Sequence, residues 1–517
     1  MEPDTEITTP KHATRWRVPA FYAVLALLAL TALFQRLPGF NPPSLWLDDL
    51  WLAALTKHAS LRYLLFGSAP CPPAFGLLLR CFTALAGHGH WQFQVLPLVA
   101  ALAYVVLAGH FVFALTRRMS LGLLATVFAA ANPTLAIYSL RAKPYSFDVL
   151  AAQLLLMGTF VCWRRQTLRS IVLLTAGCML AMLFSFPSIL VGAALVNIVA
   201  LTMLLQPDNR PKWRPSAVTL AACNVALLVT YLVMMRPHVS GAGRGPLSNF
   251  YPTATTAPAI AEFVWENGAA FFWGAFPARI TWIALFVPVG LYAMIRKPEW
   301  RGVGLAVTAF YLGIFLASLL RIYPLGAGRT DAFSYPFTIT AAALGIDLLT
   351  RKYKFFAVGG AVFVLAVFGF ELATVRYTYP ESGARAVVER VSDAVQADDA
   401  LVVYPCSNWP LALYGKWPTE LVVMKEPVTG FYMYPERPRT LVINEVIDGV
   451  WYAHDARIVK QQLEPFLLKA HERLVYMASS AHEHVNAWIV ECITSHGYIV
   501  QVSETYPTSY FMIFVRE

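Results

Sequence analysis

The sequence has few charged residues. Asp, Glu, Lys and Arg together make up 14% of its 517 residues, whereas an average soluble domain has about a quarter. Hydrophobic residues make up 57% of the chain, and the mean hydropathy is +0.54. This composition excludes a disordered chain, a collagen, a coiled coil and a soluble globular protein. Much of the chain must therefore face lipid.

Cysteine and histidine occur without the spacing of a metal site. Two pairs of cysteines each share one segment: Cys71 with Cys81, and Cys406 with Cys492. If both segments lie outside the cytoplasm, each pair could form a disulfide or remain two free thiols. The His-x-His triplets at 88–90 and 482–484 are more typical of solvated loops or helix faces than of metal ligands.

Long apolar runs recur along the first three quarters of the chain. Each is long enough to cross about 30 Å of hydrocarbon as a helix. They predict eleven transmembrane helices, at roughly 18–37, 93–116, 119–138, 145–162, 170–186, 188–205, 216–235, 279–295, 303–321, 333–349 and 355–374. The division of 170–205 depends on Pro187, which interrupts an otherwise continuous apolar run.

Basic residues mark alternate connections between these helices. Residues 1–375 contain 28 basic and 13 acidic residues, and residues 376–517 contain 12 basic and 17 acidic residues. The positive-inside rule therefore places the N-terminus in the cytoplasm and the C-terminal part outside it. We expect a multi-pass protein of the cell (inner) membrane with an uncleaved first helix. Because the basic excess is explained by topology, we expect no nucleic-acid partner.

The sequence predicts two domains. Residues 1–375 form the transmembrane domain, which includes a long outer loop at 38–92, and residues 376–517 form a small extracytoplasmic α/β domain. In the second domain, periodicity predicts a helix at 381–397 and strands at 401–404, 440–443, 498–500 and 511–515. The predicted fold class is thus an α-helical polytopic membrane protein with a small C-terminal α/β domain.

Few acidic residues are expected on the outer side of the membrane domain. They are Asp48, Asp49, Asp148, Glu262, Glu266, Asp331 and Glu371. Asp48 and Asp49 lie in a segment that we interpret as a short amphipathic helix on the membrane surface, capped by Ser44. Its apolar residues are expected in the interface: Trp46, Leu47, Leu50, Trp51, Ala54 and Leu55. The two acids either complement the helix dipole or supply a general base.

Two further outer segments carry cations. Residues 138–148 contain Arg141 and Lys143, on the side where the positive-inside rule disfavours them, and residues 321–331 contain Arg329 beside two glycines. These side chains either snorkel to lipid headgroups or hold a phosphate. A carboxylate and several cations together would suit the transfer of a group from a lipid phosphate ester.

These motifs, in this order, resemble the GT-C membrane glycosyltransferases. The resemblance covers about residues 1–375, and it is strongest to the branch of protein mannosyltransferases, the lipid A aminoarabinose transferase and rhizobial lipopolysaccharide-core transferases. The matching segments are Trp46–Asp49, Pro72–Pro73, Leu77–Arg80, Tyr138–Asp148 and the Gly326-Ala-Gly-Arg329 loop.

The resemblance implies an inverting transferase that moves a hexosyl or pentosyl group from a polyprenyl-phosphate donor to an extracytoplasmic lipid, glycan or protein acceptor of the cell envelope. It implies Asp48 as the base, with Asp49 in place of the usual Glu. It implies a donor-phosphate site at Lys143 and Tyr145, with help from Arg141 and Arg329. Some relatives use a divalent metal ion, so such an ion is a possible cofactor, although the sequence shows no dedicated ligand set.

The chain departs from the family pattern at two places. Cys71 stands before the Pro pair where the family often has His, and the Leu96–Pro97 pair lacks a neighbouring Arg. Two other functions remain open, a lipid or glycan transporter (flippase) and a non-catalytic membrane subunit of an envelope assembly complex. A transporter would predict internal pseudo-symmetry or mid-helix charges, and the sequence shows neither.

Overall fold

A computed structural model describes most of the chain. The described residues are 11–67, 71–205, 213–236, 250–252, 256–326, 328–352, 366, 369–371, 375–423, 431–444, 446–447, 450–451, 455–469 and 471–517. Up to residue 352 the described secondary structure is helical. In residues 376–517, which we call the tail, helices and strands alternate.

The first 352 residues form fifteen α-helices among those described. They are α1 (Lys11–Arg36), α2 (Leu47–His58), α3 (Leu61–Phe66), α4 (Pro73–Ala86), α5 (His90–Thr116), α6 (Met119–Ala130), α7 (Pro133–Tyr138), α8 (Tyr145–Arg165), α9 (Leu168–Phe184), α10 (Ser188–Leu204), α11 (Trp213–Thr230), α12 (Ala257–Trp273), α13 (Phe286–Arg296), α14 (Arg301–Leu319) and α15 (Tyr335–Lys352). Short 3₁₀ turns at Ala278–Leu285 and Ala332–Ser334 precede α13 and α15.

Seven helical segments of the described residues are long and apolar enough to cross a membrane. They are Val18–Gly39, His90–Thr116, Tyr145–Arg165, Arg214–Met235, Arg279–Arg296, Arg301–Leu319 and Ala332–Arg351. The chain is therefore a multi-pass membrane protein, as its composition predicts. α9 and α10 are apolar but shorter, at 17 residues each.

The total of eleven spans stays a prediction. The last range, 355–374, lies largely outside the described residues. The range 119–138 is divided into α6 and α7, because Asn132 caps α7 and Pro133 begins it. The break at Pro187 lies between α9 and α10, as predicted. The helix α12 was not predicted, because Glu262 and Glu266 interrupt its apolar pattern.

The helices pack around α8, which contacts α5, α9, α10 and the turn before α15. On the other side of the bundle α13 lies directly against α15. A Cβ at Gly290 would stand only 1.7 Å from the carbonyl oxygen of Ala341, and one at Gly345 only 2.2 Å from that of Phe286. These glycines therefore allow the two backbones to approach more closely than larger residues would.

The tail contains a five-stranded mixed sheet with helices against it. Its elements are α16 (Ala384–Ala394), β1 (Ala400–Val403), α17 (Asn408–Tyr414), β2 (Thr419–Val423), β3 (Phe431–Pro435), β4 (Thr440–Val442), β5 (Val446–Ile447), β6 (Val450–Trp451), α18 (Ala456–Leu467), β7 (Arg473–Ser479), α19 (Glu483–Ser495), β8 (Tyr498–Tyr506) and β9 (Ser509–Arg516). The strand order is β4-β1-β7-β9-β8. β1 is parallel to β4 and β7, and β9 is antiparallel to β7 and β8. The predicted α/β class is confirmed, although the sequence did not predict the central strand β7.

The tail and the segment before α5 share one apolar core. Leu50 and Leu55 of α2, Phe75 of α4 and Trp409 of α17 belong to the same buried cluster. The tail is thus packed onto α2, the helix that carries Asp48 and Asp49. The seven cysteines, all of which are described, form no disulfide in the structure, so neither of the two considered pairs is bonded there.

Candidate active site

The helix α2 places both candidate acids in its first turn. Trp46 occupies the N-cap position, and Asp48 and Asp49 follow it. The prediction that Ser44 caps this helix is wrong, because the helix begins at Leu47; the Ser44 hydroxyl instead accepts a hydrogen bond from the backbone N–H of Arg385 in the tail (3.3 Å).

The apolar residues of α2 do not lie in a membrane interface as predicted. Leu50, Ala54 and Leu55 are fully buried inside the protein. Trp51 stacks on Trp409 of the tail with ring centroids 5.7 Å apart. Leu52 and Ala53 are fully buried as well, because α4 and α17 of the tail pack against α2.

Asp49 forms a buried ion pair with Arg141. Its Oδ2 accepts a hydrogen bond from Arg141 Nε at 2.6 Å and a second from the hydroxyl of Tyr379, a residue of the tail. The side chain of Asp49 has no exposed surface, and that of Arg141 is 9% exposed. A buried carboxylate with two donors is held in a fixed orientation. Asp49 therefore fixes the position of a cation, and it is not accessible to an acceptor.

Asp48 is the accessible member of the pair. Its Oδ2 lies 2.9 Å from Arg329 Nη1, with the two side chains 31% and 38% exposed. The loop that carries Arg329 turns through Gly326 and Gly328, whose φ angles of +82° and +65° favour glycine. The carboxylate of Asp331 accepts a hydrogen bond from the Gly328 N–H at 3.2 Å and so helps to shape this loop.

Lys143 supplies a buried ammonium group beside these acids. The residue is 5% exposed, and its Nζ lies 4.7 Å from the ring centroid of Trp51. Among the described residues no carboxylate oxygen lies within ion-pair distance of this nitrogen. A desolvated cation that has no direct ion pair is costly, and an incoming anion would offset that cost.

The remaining predicted residue, Tyr145, begins α8 next to this group. Its ring meets that of Tyr138 edge-on, with centroids 5.0 Å apart. It lies near enough to Arg329 and Asp48 to interact electrostatically with both. The structure thus brings together all six predicted site residues, although their roles stay predictions.

Burial and neighbouring charges set the pKa values of the site. Burial by itself raises the pKa of Asp48, but the positive charges of Lys143, Arg329 and Arg141 outweigh this effect and leave the pKa below its ordinary value. Burial raises the pKa of Asp49 in spite of Arg141. Burial also lowers the pKa of Lys143, although both carboxylates oppose the shift.

Two residues that the sequence analysis did not identify, Arg36 and Gln94, hold the segment that carries Arg141 and Lys143. The fully buried Arg36 at the end of α1 donates through Nε to the Ser139 hydroxyl at 3.1 Å and through Nη1 to the Ala32 carbonyl at 2.6 Å. The side chain of Gln94 donates to the Leu140 carbonyl at 2.7 Å. The bonds to Ser139 and Leu140 hold the two residues that precede Arg141. A buried polar residue within an apolar helix was the available signal, since such residues usually have a specific partner.

The donor set does not fit a divalent metal ion. Among the described residues no group of three or more His, Cys, Asp or Glu is placed to hold one. Asp48 and Asp49 already face Arg329, Arg141 and Lys143, and three cations around two carboxylates oppose a further positive ion. Elsewhere His482 and His484 lie with ring centroids 5.7 Å apart on the tail.

An apolar groove of about 600 Å³ runs between α8 and α9. At one end it is lined by Leu78, Phe184 and Phe147, of which Phe147 closely follows Lys143 in sequence; at the other end it reaches Arg165. The rings of Phe147 and Phe184 are stacked with centroids 6.0 Å apart. From Phe147 to Arg165 the helix rises about 27 Å, so the groove extends across most of the hydrocarbon thickness of a bilayer.

Solved structures with a similar fold include two of ArnT and one of an archaeal oligosaccharyltransferase. ArnT from Cupriavidus metallidurans in the apo state is 10% identical, with a TM-score of 0.56 over 98% of each chain. ArnT from the same organism bound to undecaprenyl phosphate is 13% identical, with a TM-score of 0.54 over 97% of this chain and 98% of that one. The Archaeoglobus fulgidus oligosaccharyltransferase in complex with zinc and sulfate is 12% identical, with a TM-score of 0.52 over 92% and 71%.

The sequence matches no protein-family model and no curated protein. At these identities the structural likeness concerns the fold, which extends over both the helices and the tail. The GT-C-like fold expected from the motifs is confirmed: the chain has a fold similar to that of ArnT and of the archaeal oligosaccharyltransferase.

Proposed function

We propose that the protein is an inverting membrane glycosyltransferase that moves a sugar from a polyprenyl-phosphate donor to an acceptor of the cell envelope. The observation that carries the proposal is the convergence of an accessible carboxylate, Asp48, with three cations from distant segments. One of these, Lys143, is buried without a carboxylate partner within ion-pair distance in the described structure. ArnT, which shares the fold, has been solved with undecaprenyl phosphate.

The donor phosphate binds first, at Lys143, Arg329 and Arg141. Arg329 pairs with Asp48 in the structure, so the phosphate competes with Asp48 for this guanidinium. When Arg329 turns to the phosphate, Asp48 loses part of the positive field that holds its pKa down. Donor binding thereby makes Asp48 a stronger base at the moment when a base is required.

The transfer itself needs a base on one side of the sugar and cations on the other. Asp48 takes the proton of an acceptor O–H or N–H, and the acceptor atom attacks the anomeric carbon opposite the phosphate. The bond between that carbon and the phosphate oxygen breaks, and its electron pair leaves with the polyprenyl phosphate. The additional negative charge on the leaving phosphate is stabilised by Lys143, Arg329 and Arg141. The configuration at the anomeric carbon is inverted.

The groove between α8 and α9 takes the prenyl chain. A phospholipid acyl chain occupies one leaflet, which is about half of the roughly 30 Å core. The groove extends further than that, and it begins only a few residues after Lys143. A long isoprenoid whose phosphate lies at Lys143 fits this length and this starting point.

The proposal includes a topology. Residues 1–375 form the membrane domain with a cytoplasmic N-terminus in the inner membrane, and residues 376–517 form the extracytoplasmic domain. The basic connections, among them Arg117–Arg118, Arg164–Arg165 and Arg296–Lys297, lie at the end of the bundle away from the tail, which supports this orientation. Transfer then takes place outside the cytoplasm.

Lipid extraction with glycan mass spectrometry tests the proposal, comparing the native chain with Asp48→Asn. The variant should transfer sugar more slowly by a factor on the order of 10³. It should accumulate a polyprenyl-phosphate sugar on the outer leaflet, and its mass identifies the sugar. The control is Glu262→Gln, which neutralises an exposed acid of α12 and should leave transfer unchanged.

Two outcomes would contradict the proposal. Unchanged envelope glycans with Asp48→Asn at normal protein level would exclude Asp48 as the base and favour a non-catalytic subunit. Accumulation of the donor on the cytoplasmic leaflet would instead favour a transporter. Leaflet-specific chemical labelling of the accumulated lipid separates transporter from transferase.

A further inference from the structure

The tail contributes one side chain directly to the charged group of the site. Tyr379 lies just before α16, 330 residues from Asp49 in the sequence, and its hydroxyl donates a hydrogen bond to Asp49 Oδ2. The same hydroxyl accepts a hydrogen bond from the Trp46 N–H at 2.8 Å. The guanidinium carbon of Arg141 lies 5.5 Å from the centroid of the Tyr379 ring. Tyr379 therefore contacts the start of α2 and both members of the buried ion pair.

The hydrogen bond from the Tyr379 hydroxyl fixes the orientation of the Asp49 carboxylate. Asp49 Oδ1 is buried and has no hydrogen-bond partner, so both donors act on Oδ2. Without the Tyr379 hydroxyl, Arg141 would be the remaining donor, and the carboxylate could turn about its side-chain bonds. Asp49 has no exposed surface, so bulk solvent does not hydrate it in the structure. The orientation of Arg141 depends in turn on Asp49.

We infer that Tyr379 is a positioning residue of the transferase, which fixes the Asp49–Arg141 pair and through it the guanidinium that meets the donor phosphate. The inference rests on the proposed function and deepens it. It makes the tail a part of the active site, which is incomplete without it. Tyr379 does not contact Asp48, so it acts on donor binding and not on proton removal.

Besides the stacking of Trp409 on Trp51, the tail holds both ends of α2 by hydrogen bonds that do not involve the charged groups of the site. The Tyr414 hydroxyl accepts a hydrogen bond from the Leu45 N–H at 3.1 Å. At the other end of α2, Lys57 Nζ donates to the Leu413 carbonyl at 3.0 Å. Tyr379 and Tyr414 thus form a matched pair. Their hydroxyls accept from adjacent backbone amides, but among these described contacts the Tyr379 hydroxyl is the one that also reaches a charged group of the site.

The test is a double-mutant cycle on binding of undecaprenyl phosphate to the full-length protein in lipid nanodiscs. Tyr379→Phe keeps the ring and removes the hydroxyl, and it should weaken binding roughly tenfold, the usual effect of a hydrogen bond to a charged group. In the Asp49→Asn background the same change should weaken binding less than about twofold, because residues acting in series are not additive. Tyr414→Phe should keep the native affinity in both backgrounds.

The cycle can contradict either the role assigned to Tyr379 or the proposed donor class. If Tyr379→Phe binds as tightly as the native chain, or weakens binding equally in both backgrounds, the positioning role is wrong. If Tyr414→Phe weakens binding as much as Tyr379→Phe, the tail acts by general support of α2, and the role assigned to Tyr379 is also wrong. If the native protein does not bind undecaprenyl phosphate, the proposed donor class fails first.

Discussion

Lysine lies over tryptophan at both ends of the helical bundle, with different consequences. Near the tail, Lys143 Nζ is 4.7 Å from the Trp51 ring, and the two residues come from separate segments. At the other end, Lys297 Nζ is 3.8 Å from the ring of Trp300, its neighbour in the turn before α14. Lys143 is buried, whereas Lys297 is partly exposed. The first contact requires the whole fold, and the second forms locally.

The ion pairs of the two ends differ in the burial of their cations, because Arg141, at 9% exposed, is the only buried cation of these pairs. Near the tail, Asp49 is fully buried and Asp48 is partly exposed, and each has a cation from a distant segment. At the other end Asp347 is also buried, and it pairs with Arg351 one helical turn away (2.7 Å) and with the distant Arg118, but these two cations are 42% and 44% exposed. Exposed or local cations near a membrane suffice to set orientation. Buried cations assembled over long distances carry a desolvation cost that orientation does not require, so they indicate a binding function.

Removal of each lysine in turn should give the largest difference between the two ends. Lys143→Ala should weaken binding of undecaprenyl phosphate on the order of a hundredfold, because a buried charge-assisted contact is lost. Lys297→Ala should change it less than about twofold, since exposed charges contribute little. Binding to nanodisc-embedded protein measures both. Equal effects at the two ends would show that Lys143 serves membrane placement, and the phosphate site would lie elsewhere.

A smaller effect is expected in the groove, where two glycines offer a matched pair. A Cβ at Gly177 of α9 or at Gly313 of α14 would meet no atom within 4 Å, so larger residues are accommodated at both positions. Gly177 lines the groove and Gly313 does not. Gly177→Leu should weaken binding of a long-chain polyprenyl phosphate about tenfold, because the side chain takes space that several isoprene methylenes would fill.

Chain length provides the internal check for the groove. Gly177→Leu should leave the affinity for a short-chain prenyl phosphate nearly unchanged, because a short chain does not reach Gly177. Gly313→Leu should have no effect on either lipid. A uniform loss for both chain lengths would place the prenyl chain outside this groove.

The bundle was predictable because apolar runs are a local property. The break at Pro187 and the α/β class of the tail were likewise visible in short windows. The division between α6 and α7 could have been predicted as well: Asn132 accepts a hydrogen bond from the Leu135 N–H at 2.6 Å, and Asn followed by Pro is typical of a helix start. It was missed because the apolar run continues through it.

The site was only partly predictable, for a reason that its residues show. Asp48, Lys143 and Arg329 stood out because charge is rare in a chain of this composition. Tyr379 carried no such signal, since one tyrosine among 23 is not distinctive. The error over the membrane interface has the same origin. An amphipathic helix fits a bilayer surface or a protein core equally well, and α2 is covered by the tail, which no local pattern could reveal.

The smallest expected effect concerns the pH dependence of transfer. Burial favours protonation of Asp48, and the surrounding cations, with Lys143 foremost, nevertheless keep its pKa below the ordinary value. Removing a positive neighbour disfavours the carboxylate, so the pKa of Asp48 should rise in Lys143→Ala.

The base is active above its pKa. The acid limb of kcat/KM should therefore move to higher pH when the donor identified in the Asp48→Asn cells is used as substrate. Lys143→Arg keeps the charge and should leave the limb in place, as should Lys297→Ala at the opposite end. A limb that stays fixed in Lys143→Ala would mean that the titrating base is not the carboxylate beside Lys143, and the contrast between the two ends of the bundle would lose its catalytic meaning.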